Sequence, residues 1–100
     1  MSLFSKKMSR DEVRDKVISM IDPLTSEVVD LSSFLGTNSY DLNDGKYLAL
    51  SDLQIDRFFS QCEKEFKITI RARSYYAAVT VDELISAIHR TRTVGTGRLG

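Results

Sequence analysis

The stretch SDLQIDRFFSQCEKEF, residues 51–66, decides how the rest of the chain is interpreted. Its apolar residues recur at the spacing of an amphipathic helix and would form one wide buried face. Ser51 and Gln54 have the spacing of a capping box, in which two side chains satisfy the first amides of a helix. The pattern predicts a helix that begins at Ser51 and whose apolar face consists of Leu53, Ile55, Phe58, Phe59, Cys62 and Phe66.

The same signals predict a helix near each end of the chain. Ser9 and Glu12 have capping-box spacing, and Val13, Val17 and Ile21 then follow at helical intervals. A third capping box, from Thr80 to Glu83, begins a last helix. The inward residues of this helix are predicted to be Val81, Leu84, Ile85 and Ile88.

The segments between these helices are expected to be shorter or irregular. Asp22 and Pro23 are good first residues of a helix, and an apolar face formed by Leu24, Val28, Leu31 and Leu35 extends that pattern, so residues 23–35 are interpreted as helical. Residues 36–50 contain turn chemistry and predict a long loop. Residues 67–70 alternate like a strand, but no partner strand is recognisable, which favours an extended connector. A single helical turn is expected at 74–78.

Length and composition predict one all-α domain with four or five short helices. The 100 residues are 42% hydrophobic and contain 14 acidic and 14 basic side chains, so the formal net charge is zero. This balance favours neither nucleic-acid binding nor attraction to a membrane. No apolar run approaches the roughly 20 residues of a membrane span. A single cysteine fits a reducing compartment. We expect a monomeric cytoplasmic domain at 9–90, a flexible arm at 1–8 and a disordered tail at 91–100.

The sequence contains no recognisable catalytic or metal-binding constellation, so we do not expect an enzyme. Cys62 lies between Phe58 and Phe66 on the apolar face of its helix, which favours core packing over reactivity. The stretch DLNDGKYLALSD, residues 41–52, has the acidic ends of a calcium loop. Its glycine is the fifth residue rather than the sixth, and the closing glutamate is missing, so a metal site is not predicted.

From Leu53 onward the chain resembles an acyl carrier protein. LQIDRFFSQCEKEFKITI followed by VTVDELISAIHR matches the family's order of helix, extended isoleucine, short helix and capped last helix across about forty residues. RDEVRDKVISMI is similar to the family's first helix. The resemblance implies a small helical bundle with a long loop between its first two main helices. It also implies a 4′-phosphopantetheine arm on a serine, which holds acyl groups as thioesters.

The chain departs from the family at the attachment motif, with Ser-Asp-Leu where carriers have Asp-Ser-Leu. In gapless register the family's serine falls on Asp52, and Ser51 precedes it; the family's glycine three residues before the serine is Ala49. We expect the arm on Ser51. A rival match, LGTNSYDL, would place it on Ser39, but that register needs about a dozen inserted residues, including a helix-breaking Asn-Asp-Gly.

Partner recognition is expected along the helix that follows Ser51. In carriers this helix presents carboxylates to basic patches on partner enzymes; here the candidate recognition residues are Asp52, Asp56, Arg57 and Glu63. The mixed charge predicts dedicated partners: a phosphopantetheinyl transferase and the acyl-transfer or synthase enzymes of one fatty-acid or polyketide pathway. The alternative is a helical interaction module that carries no acyl group, since capping alone explains Ser51.

Overall fold

The computed structural model describes residues 8–36, 46–94 and 98–99. Within them lie four α-helices: α1 (Arg10–Ile21), α2 (Asp52–Phe66), α3 (Arg73–Tyr76) and α4 (Val81–Val94). Two short strands, β1 (Thr69–Ile70) and β2 (Arg98–Leu99), form the remaining regular structure together with a 3₁₀ turn after α1. The prediction of a mostly helical fold with four short helices is confirmed at this level.

Helix α1 begins as its capping box predicts. The Glu12 amide donates to Ser9 Oγ at 3.1 Å, and the Ser9 amide donates to Glu12 Oε1 at 3.3 Å. The residues predicted to face inward, Val13, Val17 and Ile21, are fully buried. Met8, the only described residue of the predicted flexible arm, is partly buried against the same core.

The predicted helix over residues 23–35 is wrong. A 3₁₀ turn, Asp22–Leu24, follows α1, and irregular backbone then continues to residue 36. Val28, which the helical pattern places on the buried face, is 84% exposed, whereas Leu35 is fully buried. Proline therefore initiates only a turn, and the hydrogen bonds of the following segment go to distant parts of the chain.

Those distant bonds make residues 31–36 a central brace of the fold. The Phe34 amide donates to the Lys46 carbonyl at 2.7 Å, and the Leu48 amide donates back to the Phe34 carbonyl at 2.8 Å. On the other side, the Val81 amide donates to the Ser33 carbonyl at 2.8 Å. The brace thus pairs backbone donors in the segment before α2 and at the start of α4, where the first amides of a helix have no partner within it.

Helix α2 buries most of its predicted face and ends in a left-handed residue. Lys67 has a φ of 57° and donates its amide to the Glu63 carbonyl. A left-handed residue at this position closes the last turn even when it is not glycine. The side chains that α2 contributes to the core are Ile55, Phe58, Phe59, Cys62 and Phe66.

Strand β1 does have a partner, contrary to the interpretation of residues 67–70 as an unpaired connector. It pairs in parallel with β2, with Thr69 opposite Arg98 and Ile70 opposite Leu99. Helix α4 also continues to Val94, so regular structure is present at 91–94 and 98–99, within the segment that the sequence analysis expects to be a tail. Two-residue strands are too short to show alternation in the sequence.

Helix α4 packs chiefly against α1 and closes the core. Its four predicted inward residues, Val81, Leu84, Ile85 and Ile88, are fully buried. The Glu83 amide donates to Thr80 Oγ1 at 3.2 Å, as the predicted cap requires. Arg10 of α1 makes an ion pair with Asp82 and donates to Ser86 Oγ at 3.0 Å, which ties the two helices at one end. Among the described residues, no helix is both long and apolar enough to cross a bilayer.

Candidate functional site

The candidate site is the amino-terminal end of α2, where Ser51 forms a complete capping box. The Gln54 amide donates to Ser51 Oγ at 3.2 Å, and the Ser51 amide donates to Gln54 Oε1 at 2.9 Å. Gln54 Nε2 also donates to the Leu24 carbonyl at 3.3 Å, which ties this end of α2 to the turn after α1. Ser51 itself is solvent-exposed. The site is therefore an exposed hydroxyl on a rigidly held helix end.

The segment before Ser51 fixes the direction in which the chain enters the helix. Leu48 and Leu50 are both buried, and the Leu50 amide donates to the Leu35 carbonyl at 2.9 Å. Ala49 between them is exposed and has a φ of 56°. This left-handed backbone costs a residue with a Cβ about 1–2 kcal/mol, so the surrounding anchors must hold it.

Two residues directly after Ser51 lie on the surface. Asp52 and Leu53 are both exposed, Leu53 by 59%. Leu53 was predicted to belong to the apolar face of α2, and that assignment is wrong. Helical geometry explains it, because the buried face is set by Ile55, Phe58 and Phe59 and Leu53 points to the opposite side.

Two of the predicted partner-recognition residues are instead held by an arginine of α3. Arg73 forms an ion pair with Asp56, donates to the Asp56 carbonyl at 3.2 Å, and donates to Glu63 Oε1 at 2.8 Å. Its guanidinium carbon lies 6.0 Å from the centre of the Phe59 ring. Glu63 Oε2 also accepts the Ile70 amide of β1 at 2.9 Å. Asp56 and Glu63 therefore join α2 to α3 and β1.

The other two recognition candidates, Asp52 and Arg57, are exposed, and their side chains make no hydrogen bond or ion pair with the described part of the chain. The structure thus separates the four candidates into two that stabilise the fold and two that remain available at the surface. Ser39 and residues 41–45 of the calcium-like stretch lie outside the described residues. Among the described side chains, no group of three or more histidine, cysteine, aspartate or glutamate residues is arranged to hold a metal ion.

Arg73 was not predicted as a site residue, because no local motif of the sequence links it to α2. The signal that could have found it is the seven-residue spacing of Asp56 and Glu63, which places two carboxylates on one flank of α2. A side chain that begins a short helix beside that flank can reach both.

A groove of about 210 Å³ lies between α3 and α4. Its walls combine the two adjacent rings of α3 with charged and polar side chains of α4, namely Tyr75, Tyr76, Glu83, Ser86 and Arg90. No residue of α2 lines it. The groove is therefore formed by different elements from those that hold Ser51.

Cys62 is fully buried, as the sequence predicts, and its environment disfavours the thiolate. Burial raises the pKa of the Cys62 thiol far above its ordinary value, and the nearby carboxylates of Glu63 and Glu65 raise it further. A thiol that stays protonated is a poor nucleophile. Cys62 is consequently a packing residue of the core.

The raised pKa of Cys62 predicts that alkaline pH destabilises the fold. The thiol of the unfolded chain ionises at about pH 8.5, whereas the buried thiol of the folded chain stays neutral. Rising pH therefore removes a proton only from the unfolded state and stabilises that state. The free energy of unfolding should then fall by about 2 kcal/mol between roughly pH 7 and pH 10 through this residue alone. Urea unfolding of the native chain and of Cys62→Ala at both pH values measures it. An equal pH dependence in the two proteins would contradict the prediction.

Comparison with protein-family models, curated proteins and solved structures finds no match for this chain.

Proposed function

We propose that this chain is an acyl-carrier-like protein, which holds an acyl group or biosynthetic intermediate as a thioester on a 4′-phosphopantetheine arm attached to Ser51. The observation that carries the proposal is the position of the Ser51 hydroxyl. It is exposed at the amino end of a 15-residue helix, two residues before a surface leucine. Carrier proteins have their modified serine at the same end of the corresponding helix with leucine directly after it, whereas here Asp52 stands between the two.

The order and lengths of the elements also support the proposal. A first helix, a long connection, a helix that begins at the candidate serine, an extended isoleucine, a short helix and a capped last helix follow one another as in carriers. Ala49, at the position of the carriers' glycine, has a φ of 56°, a conformation that glycine adopts more readily than any other residue. The backbone feature is thus retained without the glycine.

The geometry of Ser51 is compatible with attachment. Its Oγ accepts one hydrogen bond, from the Gln54 amide, which leaves a second lone pair and the hydroxyl proton available. In the transfer, Oγ would displace adenosine 3′,5′-bisphosphate from coenzyme A, and the hydroxyl proton would pass to a base of the transferase. The resulting phosphodiester would lie beside the unpaired amides of the first turn of α2, where the helix dipole favours an anion.

The partners of such a carrier would be a phosphopantetheinyl transferase and the acyl-transfer or synthase enzymes of a specialised fatty-acid or polyketide pathway. The surface of α2 supports a dedicated set of partners, because two of its carboxylates, Asp56 and Glu63, are engaged by Arg73. These two acids are less available to a basic partner than free carboxylates would be.

A second candidate function is a helical interaction module that carries no acyl group. Two observations favour it: the Ser51 side chain is fully explained by its capping box, and Asp52 already places a carboxylate at the positive end of the helix dipole. The exposed Leu53 would then serve only for protein contact.

Incubation with coenzyme A and a broad-specificity phosphopantetheinyl transferase, followed by intact-protein mass measurement, tests the proposal. We expect a single adduct on the native chain and none on Ser51→Ala or Ser51→Asp. Ser51→Ala should also lose about 1 kcal/mol of stability, whereas aspartate keeps the cap and should lose little. The aspartate variant therefore separates loss of the hydroxyl from loss of the fold.

Ser9→Ala is the matched control, because Ser9 caps α1 with the same pair of hydrogen bonds and should keep the adduct. An adduct lost only in Ser39→Ala would assign the arm to Ser39. A native chain that stays unmodified, both in this reaction and when isolated from its own host, would favour the interaction module instead.

A further inference from the structure

The solvent-facing side of α2 carries a row of four side chains that we call the exposed stripe: Leu53, Arg57, Gln61 and Lys64. Their spacing of four, four and three residues puts them on one face of the helix. All four are exposed, and Leu53 is among the most exposed large apolar residues of the described chain. The stripe begins two residues after Ser51.

Neighbouring elements bind the acidic residues on both flanks of the stripe. On one flank, Asp56 and Glu63 are held by Arg73 of α3. On the other flank, Glu65 Oε1 accepts from Lys16 Nζ of α1 at 2.6 Å. The carboxylates on both flanks therefore form ion pairs that join α2 to α1 and α3.

The cations of the stripe are not used in this way. The side chains of Arg57 and Lys64 make no hydrogen bond or ion pair with the described residues. Among the carboxylates of α2, that of Asp52 at the helix start is the one without such a partner in the described chain. The internal ion pairs thus leave an exposed stripe that carries two positive charges, seven residues apart, and an apolar side chain. The sequence alone does not show that this face is positively charged, because acidic and basic residues are mixed along α2.

We propose that the exposed stripe docks a protein partner whose surface presents carboxylates to Arg57 and Lys64 and an apolar recess to Leu53. The inference rests on the proposed function only because Ser51 and the exposed stripe share the outer side of α2. It predicts a negatively charged partner surface for the acyl carrier and for the interaction module alike. It reverses the sign that the carrier resemblance implies, namely an acidic helix that meets basic partners. Charge complementarity of this kind chiefly governs association rate and partner choice.

A protein surface fits the stripe better than a nucleic acid does. Nucleic-acid binding draws its affinity from several phosphate contacts, whereas the stripe offers two cations and the chain as a whole has no net charge. Leu53 also needs an apolar recess, which the partner's side chains can form.

The test is a titration of the ¹⁵N-labelled, unmodified chain with a synthetic helical peptide that carries glutamates seven residues apart beside a leucine. We expect the largest amide shifts at residues 53–64, and weaker binding as salt is raised. Two further probes are the same peptide with lysines in place of the glutamates and a short DNA duplex. Both should bind about tenfold more weakly or worse.

The double variant Arg57→Glu, Lys64→Glu should lose about tenfold in affinity for the acidic peptide and should prefer the lysine peptide. Arg90→Glu makes the same change at an exposed position of α4 and should stay within about twofold of the native chain. The amide spectra of both variants report whether they are folded.

Equal binding of the acidic and basic peptides, binding of the DNA as tight as that of the acidic peptide, or shifts centred outside α2 would overturn the inference. Because Ser51 is unchanged in every variant, the result is independent of the mass measurement. If the chain is modified by the transferase but binds acidic and basic peptides equally, only this inference is overturned. If it prefers the acidic peptide but is not modified, the stripe is the docking surface of an interaction module.

Discussion

Replacing Phe59 by alanine is expected to lower the free energy of unfolding by about 3–5 kcal/mol. Phe59 is fully buried in α2, and its ring centre lies 5.6 Å from that of Phe58. The guanidinium carbon of Arg73 lies over the Phe59 ring, 6.0 Å from its centre. Alanine would remove the ring, leave a cavity and loosen the arginine that joins α2 to α3. Since domains of this size are stable by only about 5–15 kcal/mol, urea unfolding should show a large part of the total lost.

Leu53→Ala is the matched control for this prediction. It shortens an apolar side chain on the same helix, but Leu53 is 59% exposed, so the free energy of unfolding should change by no more than about 0.5 kcal/mol. If the two substitutions destabilised the chain equally, the orientation of α2 described above would be wrong.

Glu63→Ala is expected to destabilise the chain by about 2–3 kcal/mol, although Glu63 was predicted to recognise partners. Its carboxylate accepts from Arg73 and from the Ile70 amide, and Ile70 is only 4% exposed. Alanine would leave that buried amide without an acceptor and would remove one of the two ion pairs of Arg73. Urea unfolding measures the loss, and amide hydrogen exchange at Ile70 should accelerate.

Asp56→Ala and Glu63→Gln resolve the contributions within this network. Asp56 is more exposed than Glu63 and holds no backbone amide, so its loss should cost no more than about 1 kcal/mol. Glutamine keeps an oxygen for the Ile70 amide but loses the charge that binds Arg73, and an intermediate cost follows. A larger effect for Asp56→Ala than for Glu63→Ala would show that the ion pair at Asp56 is the stronger link.

The helix starts could be predicted from the sequence because capping is a local interaction. Ser9 and Ser51 each reach an amide three residues away, so the identity of two nearby residues nearly determines the geometry. The inward faces of α1 and α4 were predictable for a similar reason, since helical periodicity alone fixes which side chains share a face.

Residues 23–35 could not be predicted in this way because their backbone partners lie far along the chain. Ser33 and Phe34 bond to residues near 46 and 81, and these bonds replace those of a helix. Residues such as valine and serine have weak helix preferences, so tertiary bonds decide the outcome. β1 was misinterpreted on the same grounds, because its partner at 98–99 has no strand pattern of its own.

At the candidate site, the position of Ser51 was predictable and the state of its neighbours was not. The sequence shows which charges lie on α2, but which of them are neutralised depends on Arg73 and Lys16, contributed by two other helices. A surface charge pattern read from one helix therefore overstates the number of available carboxylates.

The brace formed by residues 31–36 also has a consequence for how the chain acquires its fold. Its bonds to Ser33 come from residue 81, and Arg10 meets Asp82 across 72 residues of sequence. Contacts of such long range slow folding relative to helical bundles built from neighbouring pairs, because the chain must close large loops first. During synthesis, α1 and the brace should therefore complete their contacts only after α4 has left the ribosome.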